Sequence, residues 1–107
     1  MPTERVIITI PARIHSEILD RIKAEYGRMV SVEGADYVLN MKAVDNLYSA
    51  TLNLILHIHA LVKERHGKAC LVDVAEHLRA AIHTMKIDTV LPVYATMLDF
   101  EMEHDAG

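Results

Sequence analysis

The stretch Tyr37-Val38-Leu39-Asn40-Met41-Lys42-Ala43-Val44-Asp45-Asn46-Leu47-Tyr48-Ser49-Ala50-Thr51-Leu52 decides how this 107-residue chain is read. Tyr37 to Met41 is largely apolar and includes Tyr37 and Val38, so the segment Asp36–Val44 is predicted to hold a strand. From Ser49 the apolar residues recur at helical spacing, which predicts a long helix over Ser49–Arg65 with Gly67 as its stop. A strand leads through a short loop into a helix, the repeating unit of an α/β fold.

The flanks repeat that alternation. On the N-terminal side, Val6-Ile7-Ile8-Thr9-Ile10 is β-branched throughout and closes at Pro11, which predicts a strand. Its nearly continuous apolar run implies burial on both faces or a central position. Ile14, Ile18, Leu19 and Ile22 then follow at helical spacing, with Ser16 as an N-cap and Gly27 as a left-handed C-cap. Residues 28–33 alternate as a short strand would, or form an irregular excursion, and end at Gly34. On the C-terminal side, Lys68–Val74 predicts a third strand and Glu76–Met85 a short helix. Val90–Tyr94 gives a last strand or turn, and a final helix frays over 104–107. This order implies a largely parallel sheet with crossover helices.

Composition narrows the function classes. The length suits one domain over residues 1–107. Apolar residues are 51% and charged residues 24%, which is a globular balance. The formal charge is −4 with no basic stripe, which disfavours nucleic acid and anionic membrane as partners. No apolar run reaches the roughly 20 residues of a membrane span, and Met1–Arg5 has no signal-peptide character. A cytoplasmic protein without direct membrane insertion is expected. Cys70 is the sole cysteine, reads as a small buried hydrophobe, and excludes an internal disulfide.

The long helix is the informative element. On a helical wheel, Leu54, Ile55, Ile58, Leu61 and Val62 share one arc, the expected core face. Asn53, His57 and Glu64 lie opposite and are expected to be solvated. Leu52, Leu56, His59 and Lys63 form a third stripe, read either as a broad flank of the core or as an exposed patch for a partner. Ser49 stands where the loop becomes the helix. Its hydroxyl reads as an ordinary N-cap, or as a switch whose phosphate would meet the free N–H groups of the first turn.

Two other chemistries find little support. Seven histidines raise the question of a metal, but His57 and His59 diverge by about 200° on a helix and no His-x-x-x-His pair occurs. No metal or other cofactor is expected. No glycine-rich phosphate loop or nucleophile elbow occurs either, so no catalytic residue is assigned and a non-enzymatic, protein-binding role is expected.

The segment Tyr37–Leu52 resembles the central signature of STAS domains, the sulfate-transporter and anti-sigma-factor-antagonist domains. Gly67–Val74 resembles the family's glycine-then-strand segment. Leu78–Tyr94, ending Ile87-Asp88-Thr89-Val90-Leu91-Pro92-Val93-Tyr94, resembles its closing helix, leucine–aspartate turn and final strand. The resemblance implies a four- to five-stranded mixed sheet with helices mainly on one face. It also implies bacterial partner switching, in which the domain binds a serine-kinase anti-sigma factor that phosphorylates its serine. By position that serine is Ser49, with Thr51 as a weaker second acceptor. The partner-facing residues would be Tyr48, Ser49, Leu52, Leu56, His59 and Lys63. As an alternative, the resemblance admits an accessory subunit of a lipid-transport ATP-binding-cassette complex, or a part of a stress-signalling assembly. Three positions depart from the pattern: Tyr48 and Asn40 replace acids, and Lys86 replaces a glycine. The first two remove negative charge from around Ser49. The oligomeric state is left open.

Overall fold

The computed structural model describes residues 3–105. Three strands form one sheet: β1 (Arg5–Thr9), β2 (Asp36–Asn40) and β3 (Lys68–Val72). Between and after them lie α1 (Leu19–Gly27), α2 (Ser49–Glu64), α3 (Glu76–Thr84) and α4 (Met97–Asp105). Short 3-10 turns at Ser16–Ile18 and Ile87–Thr89 precede α1 and follow α3. His104 and Asp105 are helical, where fraying was expected; residues 106 and 107 lie outside the described range.

The sheet is parallel throughout, in the order β1-β2-β3, with Ile7, Val38 and Cys70 in register across it. The four- to five-stranded mixed sheet is therefore corrected to three parallel strands. Two observations explain the difference. Residues 28–33 do not form a strand because their backbone is satisfied otherwise. Met29 and Val30 donate back to the Tyr26 and Gly27 carbonyls, continuing the turns of α1. The Tyr37 hydroxyl accepts from the Val32 N–H at 2.8 Å and donates to the Val32 carbonyl at 3.0 Å. One side chain thus does for Val32 what a neighbouring strand would have done.

The closing segment reaches the sheet at a single bridge, Leu71 with Val93. Leu71 N–H donates to Pro92 O and Tyr94 N–H donates to Leu71 O. Upstream, Val90 and Leu91 N–H groups turn back to the Ile87 carbonyl, and Pro92 has no N–H, so the ladder does not extend. On its other flank β3 stops at Val72 rather than Val74 because Asp73 adopts a left-handed φ of 55°.

Strand β2 is the central one, with Tyr37, Val38 and Leu39 all fully buried. β1, expected to be central or buried on both faces, is an edge strand, and its Ile7 is 56% exposed. On one sheet face Ile8, Tyr37, Leu39, Ala69 and Leu71 pack with α1, α2 and α3 in the main core. On the other face Val38, Cys70 and Val72 pack under Phe100 of α4. Three helices thus share one face and the fourth covers part of the other.

Two glycines act differently from expectation. Gly27 is the last residue of α1 and not a left-handed cap; a Cβ there would lie 3.2 Å from Leu61 Cδ1, where α1 crosses α2. Gly67 does not carry the left-handed turn after α2. His66 does, with φ 58°. His66 N–H donates to Lys63 O and Gly67 N–H to Val62 O, a Schellman closure with the glycine one residue late. Gly67 is required instead by close approach, because a Cβ would sit 2.5 Å from the Ala35 carbonyl oxygen. The expected cap Ser16 falls in the 3-10 turn, and the α1 N-cap position is Ile18 without a side-chain bond.

Candidate functional site at the start of α2

The central strand delivers the chain to its C-terminal edge, and the loop 41–48 returns it to α2. Two contacts hold that loop. Met41 N–H donates to Val72 O of β3, and His77 Nε2 of α3 donates to Asp45 O at 2.7 Å. Tyr48 occupies the α2 N-cap position in extended conformation, and no side chain caps the helix. The N-cap role expected of Ser49 is therefore not realised. Ser49 is the first residue inside the helix, one position too late to cap it, and it is exposed.

Tyr48, which stands where the resemblance implies an acid, is 38% exposed and held by a cation. Arg13, from the loop after β1, donates to the Tyr48 hydroxyl at 3.1 Å, and its guanidinium lies 5.4 Å from the ring centroid. Asn40, the other acid replacement, ties the sheet edge together. Its Nδ2 donates to Asp73 at 2.9 Å, and its Oδ1 accepts from Lys42 N–H at 2.8 Å. The second Asp73 oxygen accepts from Met97 N–H at the start of α4. A carboxylate at position 40 would face Asp73 with like charge, whereas the amide supplies the missing donor.

The stripe on α2 divides. Tyr48, Leu52 and Leu56 follow one ridge at i, i+4 and i+8. Leu52 is half-buried against the core, and Leu56 is 45% exposed. His59 and Lys63 leave that ridge and border a groove with Lys68, Ala69, Val90 and Pro92. Burial, with the Lys63 charge second, lowers the His59 pKa from its usual value. Its Nδ1 is buried without a hydrogen-bond partner. Thr51, expected as a second acceptor, is fully buried with Oγ1 unpartnered, so it offers no surface to a kinase. On the core arc Leu54, Ile55, Ile58 and Val62 are buried and Leu61 is half-buried. On the solvated arc Asn53 and Glu64 are exposed, whereas His57 is half-buried; a Cβ at Gly27 would come within 3.8 Å of its Nε2.

Among the described residues no three His, Cys, Asp or Glu side chains gather as a metal site, and no helix is long and apolar enough to cross a membrane. Arg13 and Asp73 were not singled out in the sequence. No local pattern marks them, since their partners lie 35 and 33 residues away.

A parallel three-stranded sheet, whose central strand leads through a tethered loop to an exposed serine opening the longest helix, defines a small α/β domain of STAS type. The STAS domain model matches residues 2–99, and the chain belongs to that family. Among solved structures, it is similar to an anti-sigma-factor antagonist (STAS) domain protein from Planctomyces limnophilus. The TM-score is 0.74 at 19% identity, covering 91% of this chain and 87% of that one. It is also similar to a sulfate transporter family protein from Wolinella succinogenes, with TM-score 0.70 at 18% identity over 90% and 80%. At such identities the likeness is one of fold. No curated protein matches the sequence.

Proposed function

We propose that residues 1–107 form one cytoplasmic, non-enzymatic STAS unit that binds a protein partner through the start of α2, as an anti-sigma-factor antagonist does. The partner is a serine-kinase anti-sigma factor, and phosphorylation of Ser49 releases it. The observation that carries this reading is the exposure of Ser49 at the first position of an uncapped helix. A kinase needs an accessible hydroxyl there, and a phosphate would meet unsatisfied N–H groups at the positive helix end. Arg13, held on the neighbouring Tyr48, adds a cation beside that position. The exposed Tyr48–Leu56 ridge supplies apolar area at the edge of the switch. The Planctomyces limnophilus neighbour lends the same reading by fold.

The test is incubation with ATP and a serine-kinase anti-sigma factor of the same genome, read by intact mass. The wild-type chain gains one phosphate, and Ser49→Ala gains none. Ser49→Asp weakens the complex about tenfold or more, some 1.4 kcal/mol. Unchanged mass together with unchanged Ser49→Asp affinity overturns the switch.

The Wolinella succinogenes neighbour, a sulfate transporter family protein, supports a second reading by fold, an accessory subunit of a transport assembly; a lipid-transport ATP-binding-cassette complex is the assembly we test. Co-purification with a permease and its ATPase, undisturbed by Ser49→Asp, would select it.

A further inference from the structure

The outer edge of β3 is only partly covered. Alternate residues of a parallel strand present N–H and C=O to opposite neighbours. Lys68 and Val72 face β2, since Lys68 N–H donates to Ala35 O and Val72 O accepts from Met41 N–H. Leu71 therefore faces outward, where Pro92 and Tyr94 take both of its backbone groups. Ala69 faces outward too, but the chain has already swung away. Val90 and Leu91 turn back onto Ile87, so the bridge at Leu71 has no counterpart at Ala69.

The gap left there is a groove of ≈ 440 Å³, within the roughly 300–1,000 Å³ range of small-molecule sites. Its walls are chemically divided. Ala69, Pro92 and the half-exposed Val90 give an apolar side. Lys63 and Lys68 give a cationic side, and among the described residues neither makes an ion pair. His59 lines the same groove from α2, its Nδ1 buried and unpartnered. The groove is set apart from the start of α2, toward that helix's C-terminal end.

We propose that this groove binds a small amphiphilic anion, with a carboxylate or phosphate head on Lys63 and Lys68 and a short apolar body against Ala69, Val90 and Pro92. Two unpaired ammonium groups in a chain of net charge −4 form a local exception that selects for a negative head. The apolar wall selects against a bare ion. The unpaired Ala69 N–H adds a directional donor on the floor. Occupancy does not depend on Ser49, so this site is separate from the proposed switch.

The test is an amide-resolved NMR titration with octanoate and, in parallel, octyl phosphate. The expected result is saturable shifts of the Ala69 and Val90 amides with one or both probes, the stronger arm identifying the head group. Lys63→Glu/Lys68→Glu, two exposed positions whose reversal leaves the core untouched, weakens binding at least tenfold. Octanol binds at least tenfold more weakly than the anions. Absence of shifts at Ala69 overturns the proposal. Equal binding of octanol, equal binding of inorganic phosphate, or indifference to the double charge reversal overturns it as well.

Discussion

Among the described residues, His66, Asp73 and Lys86 are the non-glycine positions with positive φ. Each ends an element: α2, β3 and α3. A side chain in the left-handed region crowds its own carbonyl, at a cost of about 1–2 kcal/mol. Asp73 recovers part of this through its bonds to Asn40 and Met97. Lys86, with φ 60°, is exposed, and its backbone N–H donates to His83 O to close α3. It occupies the turn where the resemblance implies glycine, and the geometry is the one glycine favours. Lys86→Gly is expected to stabilise the fold by about 0.5–1 kcal/mol, net of the entropy glycine adds to the unfolded chain. Thermal unfolding reads this as a midpoint raised by a few degrees; a lowered midpoint contradicts it. A second residue-scale effect concerns His59, whose folded pKa lies below its unfolded value near 6.5. The unfolded chain therefore binds this proton first as pH falls. His59 contributes stability above its unfolded pKa and loses it as pH drops from about 6.5 through the lowered folded value. Denaturant midpoints between pH 7.5 and 5 should fall more steeply for the wild type than for His59→Gln. Parallel slopes would contradict the assignment.

At the scale of the element, α2 serves three purposes along one length. Its inner arc fills the main core, its first turns carry Ser49 and the Tyr48–Leu56 ridge, and its last turns border the groove with Lys68 and Pro92. The two leucines of the ridge are not equivalent. Leu52 packs against the core while Leu56 is nearly half exposed. Leu56→Asp is expected to change stability by no more than about 0.5–1 kcal/mol and to weaken partner binding at least tenfold. Leu52→Asp buries a charge and is expected to cost about 1–3 kcal/mol in addition. Denaturation midpoints paired with pull-down against the partner separate the two effects. If Leu56→Asp leaves binding unchanged, the ridge is not the docking surface.

At the scale of the molecule, α4 covers part of the second face of the sheet, chiefly through one buried aromatic. Phe100 is fully buried over Val38, Cys70 and Val72, stacked with His104 at 4.2 Å and beneath the Arg5 guanidinium at 4.7 Å. Arg5 also pairs with Asp105 at 3.0 Å, which joins the first strand to the last helix. That pair is exposed and contributes little, so the docking of α4 rests on Phe100. Burial pushes the Cys70 thiol up to about 12, which leaves it protonated and unreactive at neutral pH. Phe100→Ala is expected to cost about 3–5 kcal/mol and to open Cys70. Iodoacetamide labelling at pH 8 should be slow in the wild type and at least tenfold faster in the variant. Equal rates would mean that α4 does not shield the thiol.

The elements that local pattern determines were legible in the sequence. Strand β2, helix α2 and the strand–helix alternation follow from short apolar runs and from apolar residues at helical spacing, both of which act within a few residues of chain. Ser49 was legible for the same reason, because a helix start is a local event. The exact cap was not, since one residue of shift in the loop moved it to Tyr48. Only the tertiary structure decided that β1 lies at the edge, that residues 28–33 form no strand, and that Gly67 answers to Ala35 rather than to a turn. It alone joined Arg13 to Tyr48 and Asn40 to Asp73, and it alone split the α2 stripe into a ridge and a groove. Each of these depends on which strands stand side by side and in what register. That is set by packing between segments some 30 residues apart, and no spacing within one segment records it.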